Sequence, residues 1–179
     1  ASEAPFRIGP NLVIQKDWSD FGYSTFGIAA EMVIFDMLAI DLRWERGTGR
    51  TTTSAIAVTQ AVEQTLDLFL IGSRYQYALT PQSRVYLGIH LGTGHIKSDA
   101  TLGERQQLSA AQQSLFAVRP SAGIKYVAGA AGVGLGWVLT WATGEWFEAG
   151  KYGDTKGNGP PERSGIVSHG VEISLGFQL

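Results

Sequence analysis

Between Val171 and Leu179 apolar and polar residues alternate without a break. Val171, Ile173, Leu175, Phe177 and Leu179 share one face of an extended strand; Glu172, Ser174, Gly176 and Gln178 share the other. The same period of two recurs upstream and predicts seven further strands. The first, over 6–16, sets Ile8, Leu12 and Ile14 against Arg7, Asn11 and Gln15, with Pro10 marking a bulge or an irregular start. The second, over 24–34, sets Phe26, Ile28, Ala30 and Met32 against Gly27, Ala29 and Glu31. The third, over 38–46, has the sharpest contrast: Leu38, Ile40, Leu42 and Trp44 alternate with Asp41, Arg43 and Glu45. The fourth, over 62–79, is apolar on both faces at 68–71; Phe69, Ile71, Tyr75 and Tyr77 are assigned outward, Arg74 and Gln76 inward. The fifth, over 84–96, sets Val85, Leu87, Ile89 and Leu91 against Arg84, Tyr86, Gly88 and His90. In the sixth, over 113–127, Phe116, Val118, Ala122, Ile124 and Tyr126 oppose Arg119, Ser121, Gly123 and Lys125. In the seventh, over 132–146, Val133, Leu135, Trp137, Leu139 and Trp141 oppose Gly134, Gly136 and Thr140.

The connections alternate in kind. Those near 35, 81 and 129 span a few residues, whereas 46–61, 97–112 and 148–165 read as long polar loops. Short turns at one end and long loops at the other characterise bacterial outer-membrane barrels, and eight strands close the smallest of them. A terminal strand as apolar as 171–179 would be an adhesive edge in an open sheet. Closing the sheet, with lipid outside and polar groups inside, removes that edge. The expected fold is all-β, an eight-stranded antiparallel up-and-down transmembrane β-barrel, with residues 1–179 as one domain.

Composition narrows the functions open to such a chain. The net charge of −2 supplies no basic field for nucleic acid, and the absence of cysteine removes disulfides, thiolate metal sites and cysteine nucleophiles. No apolar run approaches the length of a membrane-spanning helix, and the mean hydropathy is close to zero. Twenty-three glycines and 11% aromatics suit a barrel, where Gly relieves crowding inside and aromatics form interfacial girdles. The opening Ala-Ser-Glu-Ala-Pro carries no apolar leader, as expected of a mature form whose signal peptide has been removed.

Three strand–turn–strand phrases carry a family likeness: FGIAAEMVIFDMLAIDLRWE, SRYQYALTPQSRVYLGIHLG and SAGIKYVAGAAGVGLGWV. In them the chain resembles the small eight-stranded outer-membrane barrels of the opacity-protein and outer-membrane protein A-like superfamily. The resemblance covers nearly the whole chain and implies a bacterial outer-membrane location. Members of that superfamily usually end on an aromatic residue recognised during insertion; this chain departs from them in ending on Leu179.

Candidate chemistry lies on two faces. Arg7, Glu31, Asp41, Arg43, Glu45, Arg74, Arg119, Lys125 and Glu172 point inward and require pairing, which implies a charge network across the lumen. That network is expected to be a plug; an ion-selective pore or gate is the alternative. Trp44, Tyr75, Tyr77, Trp137, Trp141 and Phe177 point outward as a lipid-facing belt. Trp44, Trp137, Trp141 and Trp146 lining the pocket of a soluble calyx is the competing arrangement. An enzyme would draw on Ser168, His169 and Glu172, but adjacent strand residues face opposite ways, so Ser168 and His169 do not share a proton. His90 and His95 have no seryl partner, and three scattered histidines make no metal site. The stretch 109–113 is either a short surface helix or a solvated loop. No catalytic residue, cofactor or metal is therefore expected. The expected role is that of a non-enzymatic barrel acting through its external loops or its wall, in adhesion, envelope structure or a larger outer-membrane complex. A conduit for small or hydrophobic molecules comes second, a lipid-modifying enzyme third. The expected partners are outer-membrane lipids or lipopolysaccharide, and a protein met through the long loops.

Overall fold

A computed structural model describes residues 6–17, 22–35, 37–55, 58–102, 106–109, 113–147 and 162–179. Every regular element among them is a strand: β1 (Phe6–Asp17), β2 (Gly22–Phe35), β3 (Leu38–Ala55), β4 (Val58–Ala78), β5 (Ser83–Leu102), β6 (Gln106–Ser109), β7 (Gln113–Ala128), β8 (Ala131–Phe147) and β9 (Glu162–Gln178). Eight of them close a ring in the order β1-β2-β3-β4-β5-β7-β8-β9, with β9 antiparallel to β1. The remaining strand, β6, is a short spur on β5. Paired residues lead from Gly123 through Gly136, Glu172, Val13, Thr25, Gly47, Leu66 and Ile96 back to β7 at Gln113, ten residues along. Eight strands with that stagger tilt by roughly 40° and leave an interior that side chains fill.

At one end of the barrel the turns are tight. Thr80 Oγ1 accepts from the backbone N–H groups of Gln82 and Ser83, and Gly129 takes a φ of 59° that favours glycine. Pro10 forms no bulge. The β1–β2 register runs through it unbroken, and pairing lapses only on the β9 side, at Gly9 and Pro10.

The other end corrects the expected loops. Strand β3 runs on to Ala55 and β4 begins at Val58, so nearly all of 46–61 is paired hairpin. Strand β5 reaches Leu102 and β6 takes up 106–109, inside the expected loop 97–112; β9 begins at Glu162, inside 148–165. A hairpin standing clear of the lipid has water on both faces, so its sequence loses the two-residue contrast that marks a strand within the bilayer. From the Trp44–Phe69 pair to the Ala55–Val58 pair, β3 and β4 extend roughly 25 Å at this tilt. Of the stretch 109–113, Ser109 ends β6 and Gln113 begins β7, and 110–112 lie outside the described residues.

Side chains sort by parity. Ile28, Leu42, Ile71, Ile89, Leu135 and Ile173 are exposed on the outer wall. Aromatics flank this aliphatic band: Phe6, Phe35, Tyr75, Tyr77, Tyr126 and Phe177 at the short-turn end, and Phe26, Trp44, Phe69, Phe116 and Trp141 toward the hairpins. Inside, the lumen has two layers. Charged and polar groups fill the short-turn end and the middle; Tyr23, Leu66, Leu68, Leu70, Ile96, Leu115, Ala117, Ala142 and Ile166 form an apolar cluster toward the hairpins. This explains the doubly apolar stretch 68–71, where Phe69 and Ile71 face out and Leu68 and Leu70 pack into that cluster.

Leu42 is 42% exposed near the middle of the outer band. Replacing it with Arg is expected to cost about 2–4 kcal/mol in reversible folding titrations. Ile40→Arg, closer to the short-turn girdle, costs less. Equal costs at both positions would contradict this placement in the band.

Candidate functional site

All nine charged residues assigned to the interior are buried in the lumen, and every barrel strand contributes to their network. Arg43 binds Asp41 on its own strand through Nε and Nη2, at 3.1 Å each, and reaches across to Glu172 Oε2 at 2.6 Å. Arg74 meets the other oxygen of Glu172 at 3.0 Å, and its Nε lies 2.9 Å from Asp41. Its Nη1 stands 3.6 Å from Glu31, whose other oxygen is held by Lys125, and its guanidinium lies 4.7 Å from the ring centre of Tyr86. Toward the hairpins, Arg119 donates to Glu45 at 2.6 Å and to Thr140 at 3.0 Å. Asn11 and Thr25 each add a hydrogen bond of 2.9 Å to Glu45.

Glu45 is thus the partner of Arg119, and Arg43 looks to Asp41 and Glu172. Residues 43 and 45 share a strand and a face, while the stagger of the ring carries β7 and β9 to their levels. His90 is fully buried with Nε2 3.3 Å from Asp41 Oδ2, too poorly aligned for a hydrogen bond. Arg7 is the exception among the charges. It is 7% exposed, and it has no ion-pair or hydrogen-bond partner among the described residues. The sequence reasoning passed over Asn11, Thr25, Tyr86, His90 and Thr140 as members of the network. The signal that marks them is that each lies on the inward-facing parity of its own strand.

Close packing on one wall depends on glycine. The Tyr86 ring lies along the wall over β7, with its hydroxyl against Gly123 and Gly136, where a Cβ would collide with it. Trp44, Tyr75, Tyr77, Trp137, Trp141 and Phe177 are 46–58% exposed on the outer wall. With Trp44, Trp137 and Trp141 outside, they line no calyx pocket; the Trp146 side chain lies outside the described residues. Ser168 is buried in the lumen, bonded to Tyr23 at 2.6 Å and Gln15 at 3.1 Å. His169 falls on the opposite face of β9, and Glu172 is committed to two arginines. The three do not converge.

A closed eight-stranded ring, apolar outside and charged within, defines the class: the chain has the fold of the small outer-membrane β-barrels. Among solved structures it is similar to Neisserial surface protein A, with a TM-score of 0.57 and 11% identity over 97% of each chain. It is also similar to the N-terminal β-barrel domain of Pseudomonas aeruginosa OprF, with a TM-score of 0.49 and 13% identity over 97% of each chain. A further likeness is to Ail, the attachment invasion locus protein of Yersinia pestis, solved with the heparin analogue sucrose octasulfate, with a TM-score of 0.45 and 9% identity over 98% of this chain and 97% of that one. No protein-family model and no curated protein matches the sequence at a significant level.

Glu172→Ala takes one carboxylate partner from each of two buried guanidiniums and is expected to cost about 3–5 kcal/mol in folding titrations. Gly136→Ala is expected to cost roughly 1–3 kcal/mol through overpacking against Tyr86. Adding Tyr86→Phe should recover part of that loss. Additive effects of the two changes would show that the ring and the glycine do not press on each other.

Proposed function

We propose that this protein is a non-enzymatic barrel of the bacterial outer membrane, one domain over residues 1–179, acting through its external hairpins or its outer wall. The roles open to such a surface are adhesion, envelope structure and membership of a larger outer-membrane complex. The observation that carries this reading is the filled lumen. Four carboxylates are matched by guanidinium or ammonium groups, and an apolar cluster lies above them. A lumen filled in this way by the described residues favours a protein that meets its partners on the outside.

Two features supply that outside. The β3–β4 hairpin and the β5–β6 spur extend beyond the aromatic girdle. Loop-ward of Trp44 and Phe69 the wall itself turns polar. Arg46, Thr65, Asp67, His95 and Lys97 line a groove of about 250 Å³ suited to the phosphate-bearing head group of an outer-leaflet lipid.

The reading requires a detergent-dependent protein whose gel migration shifts on heating, as compact barrels do when they unfold. In planar bilayers it is expected to give no stable conductance of porin size. Steady openings that vanish in Arg43→Met or Arg119→Met would overturn the closed lumen and favour a conduit. A monomer soluble without detergent would overturn the membrane reading.

A further inference from the structure

Among the described residues the buried charges of the lumen do not balance. Arg7, Arg43, Arg74, Arg119 and Lys125 are five cations; Glu31, Asp41, Glu45 and Glu172 are four anions. The pairings engage all four carboxylates with Arg43, Arg74, Arg119 and Lys125, and the cation in excess is Arg7. Its Nε is buried and without a hydrogen-bond partner. A guanidinium withdrawn from bulk water and left unmatched is costly, and it keeps its charge at any physiological pH.

Arg7 lines a cavity of about 30 Å³ at the short-turn end of the lumen, together with Lys125, Arg74 and Ser174. Glu31 and Asp41 also border it. Each is already held by cations, Glu31 by Lys125 and Arg74, Asp41 by Arg43 and Arg74. The space exists because Gly132, Gly134 and Gly176 present no side chains on the β8–β9 wall. A cavity of this size accommodates a water or a small ion.

We infer that this cavity binds one monovalent halide, chloride by availability, with Arg7 as its principal ligand. The ion neutralises a buried cation left unmatched among the described residues, and Lys125 and Ser174 line the same cavity. A water in the same place solvates the guanidinium and leaves the charge uncompensated.

Crystals of the detergent-folded barrel, grown with bromide in place of chloride, test the site directly. An anomalous bromide peak beside Arg7 is expected; a water at full occupancy with no anomalous signal overturns the inference. In solution, urea midpoints are compared in chloride and in gluconate at equal ionic strength, since gluconate cannot enter. Chloride at a hundred times its dissociation constant should lower the unfolding equilibrium constant about 100-fold, with saturation as the salt rises. Arg7→Met should abolish this dependence, and Arg50→Gln, an exposed cation on the β3–β4 hairpin, should keep it. Gly176→Ala adds a methyl group 3.6 Å from Arg7 Cβ, an ordinary contact, so the barrel still folds with less room for the ion. It should need at least tenfold more halide for the same effect. Equal midpoints in both salts, or halide dependence retained in Arg7→Met, refutes the site. Should neither cavity variant fold, the bromide map of the unaltered protein decides.

Discussion

Glu172 stands between Arg43 and Arg74 in the middle of the lumen, one carboxylate oxygen on each. Those contacts join the last strand of the ring to the third and fourth across the interior. They are possible only in one register. A slip of a single residue in β9 would turn Glu172 into the lipid and Val171 into the charged lumen, exchanging every side chain's environment along that strand. The closing pair β1–β9 is therefore specified by side chains as well as by backbone. The apolar face must meet lipid, and the acid must meet its two arginines.

The same requirement shapes the rest of the interior. Charges must be matched where they are buried, so acids and bases of different strands lie at common levels: Lys125 with Glu31, Arg119 with Glu45. Where the charges stop, toward the hairpins, Leu66, Leu68, Leu70 and Ile96 take over and exclude water by packing. Glycines set the remaining dimension. Gly123 and Gly136 admit the Tyr86 ring, while Gly132, Gly134 and Gly176 leave the small cavity beside Arg7. Among the described residues the lumen is thus largely filled by side chains.

Much of this was legible in the sequence because membrane strands obey a strict local rule. Lipid on one side and a polar lumen on the other force alternation at every residue, and the facing of Trp44, Tyr75, Arg74, Arg119 and Lys125 follows from parity alone. The rule fails where its physical cause is missing. Beyond Arg46 the two-residue contrast is lost, so the paired segment looked like a loop of Thr and Gly. In the upper lumen the interior is itself apolar, so 68–71 carried no contrast.

Partner choice lay beyond that local rule. Nothing within β3 distinguishes Glu45 from Asp41 as the mate of Arg43, since both are two residues away on the same face. The ten-residue stagger of the closed ring decides it, bringing Arg119 to Glu45 and Glu172 to Arg43. The same stagger leaves Arg7 beside a glycine-lined cavity with no carboxylate of its own among the described residues. By itself the sequence determined the number of barrel strands and which way their side chains face, because parity is a property of a single strand. Only the tertiary structure decided which charges meet, how far the hairpins rise and where space remains, because those depend on the heights at which separate strands are held.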